Sequence, residues 1–115
     1  MEVQIIGIKK SNETKKAIRF FSERRIKYHF RDLAEKGLSR GELANIARSV
    51  DPETLIDRQS ALYKKRGMEY MEFDILEELE QYPLLIKMPV VRWQTRSSAG
   101  HNPDEWSGWI TASGR

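Results

Sequence analysis

Lys9-Lys10-Ser11-Asn12 stands directly before a stretch that reads as an amphipathic helix, and this is the first place where the chain could do chemistry. The opening N–H groups of a helix have no intrahelical partners and carry the positive end of its dipole, so they attract anions. Two lysines and a hydroxyl there suit phosphate, sulfate or a carboxylate. They also suit a plain N-cap beside two solvated ammonium groups. Arg92 is a further guanidinium that could join such a site. Ser11 lacks the flanking glycines of a nucleophile elbow and an evident base, so a serine triad through His101 is set aside. His29 and His101 lie far apart with no carboxylate at metal-ligand spacing and read as surface histidines, so no metal and no cofactor are expected. Trp93, Trp106 and Trp109 read as core and rim residues rather than as a ligand platform.

Composition removes other chemistries. The 115 residues include 0 cysteines, which excludes disulfides, thiolate metal centres and any cysteine nucleophile. With 39% apolar residues the chain can bury one core without a staple, so residues 1–115 are expected to form a single domain. Formal charge is +3 overall but uneven: residues 1–31 carry a clear basic excess, residues 32–83 an acidic one, and the remainder is mildly basic. The basic first third reads as a solvated helix face with few aromatics between its cations, so nucleic acid is not an expected partner. No apolar run approaches the roughly 18 residues of a membrane span, and the start of the chain is too short and uncharged for a secretory signal. A soluble cytoplasmic protein without membrane association is expected.

The elements that must position these residues follow from periodicity. Val3 to Ile8 is an apolar run with the pattern of a strand covered on both faces. Residues 12–24 place Ala17, Ile18, Phe20 and Phe21 on one helical face, and Ile26, Tyr28 and Phe30 alternate as a short strand. The start is therefore β-α-β, with parallel strands and a right-handed crossover. Ser39 and Glu42 form a capping box, Asp51-Pro52-Glu53 restarts a helix, Gln59 to Arg66 ends at Gly67, and Asp74 to Gln81 stops before Pro83. A helical subdomain over about 38–83 is thus expected inside the sheet protein. Residues 89–93 and 96–99 read as a hairpin around Gln94-Thr95, a helix starts at Asn102-Pro103, and Thr111 to Arg115 read as a frayed tail.

This α/β layout, a mixed four-stranded sheet running β-α-β, helical insertion, β-β-α, is that of a thioredoxin-like fold. Over roughly residues 2–110 the chain resembles the arsenate reductase-related (ArsC/Spx/YffB) branch of glutaredoxin-like proteins. The resemblance rests on Ile6-Gly7-Ile8-Lys9-Lys10-Ser11-Asn12-Glu13-Thr14, Leu55-Ile56-Asp57, Leu84 to Arg92 and Gly100-His101-Asn102-Pro103-Asp104-Glu105-Trp106, in that order. It implies that Pro89 is preceded by a cis bond and faces the reactive position. It also implies a catalytic cysteine at position 11 and arginines gripping the oxyanion at positions 57, 88 and 102. Here those positions hold Ser11, Asp57, Met88 and Asn102, with Arg58 or Arg92 left to replace part of the charge.

The expected function is an arsenate reductase-like, thioredoxin-fold protein without redox catalysis, more a binding or regulatory module than an enzyme. Its candidate anion site is Lys9, Lys10, Ser11, Asn12 and Arg92 beside Pro89. A small anion or a protein partner is the expected ligand, since Spx relatives act as adaptors on RNA polymerase through surfaces that need no thiol. The alternative is a thiol-dependent oxidoreductase of the same family whose catalytic cysteine is replaced by Ser11, through engineering or divergence.

Overall fold

The computed structural model describes residues 1–114, so Arg115, the end of the expected frayed tail, lies outside the described residues. Strand β1 (Glu2–Gly7) is central and pairs in parallel with β2 (Lys27–Asp32) and antiparallel with β3 (Val90–Trp93), which in turn pairs with β4 (Arg96–Ala99). The sheet order is β2-β1-β3-β4. Helix α1 (Asn12–Glu23) links the two parallel strands. The mixed four-stranded sheet and its β-α-β and β-β-α flanks agree with the sequence reading.

Alternation along the strands divides the apolar residues between two cores. Val3, Ile5, Val91 and Trp93 pack against Ala17 and Phe21 of α1 and against Trp106 and Trp109 of α6 (Pro103–Ala112). Ile6 and Val90 point to the other face and share a second core with Leu43, Ile46, Leu55, Leu79 and Ile86. Those residues come from the helical stretch: α2 (Arg40–Ala47), α3 (Pro52–Leu55), α4 (Ala61–Lys65), α5 (Ile75–Gln81) and the short 3-10 turns Met68–Tyr70 and Pro83–Leu85. β1 is buried on both faces because both layers need it, which is why its sequence is continuously apolar.

Local chemistry sets the boundaries. Ser39 and Glu42 form the reciprocal capping box, Asp51 and Ser60 cap the next two helices through their side-chain oxygens, and Gly67 takes φ +64°, the left-handed region that favours glycine. The fourth helix is shorter than the expected Gln59 to Arg66, because Ser60 accepts the Tyr63 N–H and so fixes the start at Ala61. The closing helix is longer than expected. It runs to Ala112, with the Ser113 N–H returning to Trp109 and Ile110 carbonyls, because Trp109 and Ile110 are held in the core beneath it. Among the described residues no helix is long and apolar enough to cross a membrane.

Candidate functional site

The carboxyl end of β1 and the amino end of α1 are joined by the Lys9-Lys10 turn, in which the Ser11 N–H donates to the Ile8 carbonyl at 3.1 Å. Ser11 takes φ −71° and ψ 119°, and its Oγ accepts the Thr14 N–H at 3.2 Å. The residue is therefore an N-cap, with its hydroxyl oxygen engaged by the helix it begins. Ser11 thus starts α1, as the sequence pattern predicts.

Backbone approach is tight here. A β-carbon on Gly7 would stand 2.2 Å from Oγ1 of Thr14, so only glycine lets the first turn of α1 close onto β1. Thr14 is fully buried, and its Oγ1 has no hydrogen-bond partner among the described residues. The Met88–Pro89 bond is cis, and Pro89 is buried. The register Ile6↔Val90 brings Pro89 level with Gly7 at this end of the sheet. The Pro89 carbonyl accepts the Gly100 N–H at 2.9 Å, which ties the proline loop to the Gly100-His101 turn.

That turn brings in groups that the spacing of residues did not single out. His101 Nδ1 lies 3.8 Å from Glu13 Oε2, and the imidazole meets the Trp106 ring edge-on at 5.7 Å between centroids. Glu13 also accepts from Lys16 Nζ at 3.1 Å. The Lys87 stem lies over Gly100, with Cε 3.0 Å from where a β-carbon on that glycine would stand. Glu13 and His101 thus meet at the helix end across a large sequence separation, which is why no local motif revealed the pair. Electrostatically the end is mixed. Lys9 and Lys10 are exposed and without ion-pair partners among the described residues, while Glu13 already supplies negative charge to the dipole.

Arg92 is not gathered with the others. It pairs with Gln4, further down the sheet from Gly7, and shares the face of Val90 and Ile6, whereas α1 covers the opposite face. It lines a cleft with Asn45 of α2, with Arg48 just beyond that helix, and with Gln94. The two-residue alternation of a strand decides this, since Val91 must face α1 and its neighbour then cannot. Arg58 is likewise committed elsewhere, donating to Glu53 Oε2 and to the Tyr63 hydroxyl, each at 2.6 Å. Asp57 turns its carboxylate to the Gln59 N–H, and Asn102 Nδ2 donates to Glu105 Oε2 at 2.8 Å. His29 pairs with Glu2 on the β2–β1 edge, away from Ser11. Among the described residues no group of three or more His, Asp or Glu side chains is placed to hold a metal ion.

No protein-family model matches the chain. It is 28% identical over 110 residues to the global transcriptional regulator Spx 2 of Oceanobacillus iheyensis, an alignment spanning 91% of this chain and 81% of that protein. Among solved structures it superposes on the YFFB protein with a TM-score of 0.83 at 24% identity, over 92% of this chain and 96% of that one. The arsenate reductase of Vibrio cholerae gives 0.78 at 17% identity, over 91% and 94%. An arsenate reductase related protein from Brucella melitensis gives 0.71 at 24% identity, over 96% and 95%. The chain therefore has the thioredoxin-like fold of arsenate reductase-related proteins along nearly its whole length, with Ser11 at the head of α1 and 0 cysteines.

Proposed function

We propose that this chain is a binding or regulatory module that keeps the arsenate reductase-like frame and has lost thiol chemistry. The observation that carries the reading is the state of Ser11: its Oγ serves as the N-cap acceptor for Thr14, and the chain has 0 cysteines to supply a thiolate. A serine hydroxyl ionises far above neutral pH, so the helix dipole cannot make it the nucleophile that a thiol becomes at such a position. The groups at the three family arginine positions, Asp57, Met88 and Asn102, support the same reading, because none is a guanidinium.

Lys9, Lys10, Ser11 and Asn12 form the anion-facing part of the module, and Arg92 does not join them. Glu13 opposes anion binding there, so sulfate or phosphate binds weakly. Likeness to a global transcriptional regulator supports a protein partner as the principal ligand. The test has two measurements. A thioredoxin- or glutathione-coupled assay with arsenate should show only background turnover. A sulfate titration followed by amide shifts should move residues 9–13 with low affinity, and arsenate turnover above background overturns the reading.

A second reading, an oxidoreductase whose cysteine was exchanged for serine, is favoured by one observation: the frame around position 11 is intact, with the Gly7–Thr14 contact and the cis Met88–Pro89 bond in place. Restoring the sulfur with Ser11→Cys separates the two readings.

A further inference from the structure

The helical stretch carries a cleft of about 450 Å³ between the turn after α3 and the 3-10 turn Met68–Tyr70, with Arg58 among its lining residues. Its size falls in the range of small-molecule sites, about 300–1,000 Å³. Arg58 and Lys64 line it together with one carboxylate, Glu69, and the exposed ring of Tyr70 supplies its aromatic surface, while Tyr63 is buried with its hydroxyl accepting from Arg58. We infer that this cleft is a binding site for a small aromatic anion, a planar ring bearing a carboxylate or phosphate group.

The positive group is already oriented. Arg58 is held by Glu53 on one side and by the Tyr63 hydroxyl on the other, and these bonds leave guanidinium N–H donors unused. Its side chain remains 45% exposed, so those donors are reachable from the cleft. A pre-positioned guanidinium loses little freedom on meeting a second carboxylate or a phosphate. Lys64 is exposed, has no ion-pair partner among the described residues, and shares the cleft with the Glu69 carboxylate.

The aromatic part of the inference rests on Tyr70. It is 87% exposed, the most exposed of the large hydrophobic side chains, and it stands at the rim of this cleft rather than alone on the surface. An amphipathic ring left uncovered beside cations is suited to stacking on a flat, negatively charged ligand. Gly67, in the left-handed region, also lines the cleft, and a β-carbon there would meet open space. Neither Ser11 nor its neighbours in the chain line the cleft.

Phenyl phosphate, inorganic phosphate and phenol would each be titrated into the intact chain while amide shifts are recorded. Phenyl phosphate is expected to shift residues 58–70 and to bind at least about tenfold more tightly than either phosphate or phenol alone. Tyr70→Ala and Lys64→Gln replace exposed side chains, and each should weaken phenyl phosphate at least about threefold while leaving the rest of the spectrum unchanged. Binding of inorganic phosphate as tight as that of phenyl phosphate overturns the inference. So do phenyl phosphate shifts confined to residues 9–13, or variants that bind as the parent does.

Discussion

Oγ1 of Thr14 occupies the space that a β-carbon on Gly7 would need, 2.2 Å away, and this contact fixes how closely the first turn of α1 approaches the end of β1. Both residues are buried, and Ser11 lies on the turn between them. Gly7→Ala should destabilise the chain by roughly 1–3 kcal/mol, the usual range for forcing volume into a packed interior. Thr14→Ala in the same chain should recover part of that loss. Urea denaturation of the two single variants and the double variant measures this, and strictly additive effects would show that the contact is not the cause.

Thr14 supplies a second prediction. Its hydroxyl is buried without a partner among the described residues, a state that costs free energy rather than gaining it. Thr14→Val keeps the branched shape and removes the polar atom, so the variant should be as stable as the parent or more stable by up to about 1 kcal/mol. A loss larger than that would mean the hydroxyl has a partner, such as a bound water.

Ser11→Cys tests the second functional reading. The free N–H groups at the head of α1, with Lys9 and Lys10 nearby, should lower the thiol pKa below that of an unperturbed cysteine. Iodoacetamide should therefore alkylate it faster below pH 8 than it alkylates a free cysteine. Arsenate reduction should still fail, because pre-positioned donors at such sites contribute on the order of 2.7–4 kcal/mol each and Asp57, Met88 and Asn102 carry no guanidinium. Efficient turnover by the single variant would favour the oxidoreductase.

The β2 edge is tied to the helical layer by one ion pair, and its stability should depend on pH. Arg31 donates to both carboxylate oxygens of Glu42, at 3.0 and 2.8 Å, and Glu42 also accepts the Ser39 N–H at 3.1 Å. Burial by itself raises the Glu42 pKa, but the hydrogen bonds from Arg31 and Ser39 outweigh it and hold the carboxyl below its ordinary 4.5. Because the folded pKa lies below the unfolded one, the contribution is present in full above the unfolded value and is lost as pH falls through the folded value. Glu42→Gln should cost about 1–3 kcal/mol at pH 7, and the gap between variant and parent should narrow below about pH 4. Thermal melts across that range check it, and a pH-independent gap would assign the loss to packing alone.

Trp106 anchors α6 to the sheet through one buried polar contact, Nε1 to Ser98 Oγ at 2.8 Å. Ser98→Ala leaves the indole N–H unpaired in the core and should cost about 1–3 kcal/mol. Denaturant titration followed by tryptophan fluorescence measures the loss.

The sequence by itself determined the order and type of nearly every element, because each is encoded within a few residues. The continuous apolar run of β1 requires two covering layers, the Ser39–Glu42 box and Asp51-Pro52 start helices by local hydrogen bonding, and Gly67 ends one by its backbone freedom. The absence of a thiol was also legible, since it is a matter of residue type. Which residues meet at the head of α1 was not. Lys9 to Asn12 are there by chain continuity, but Arg92 had to fall on one face or the other of β3, and the pairing that buries Val91 under α1 turned it away. Glu13 and His101 come together because Pro89 pairs alongside Gly7 and binds Gly100, and Gly7 and Pro89 lie more than 80 residues apart in the chain. Long-range register decides such meetings, and no local pattern of residues carries it.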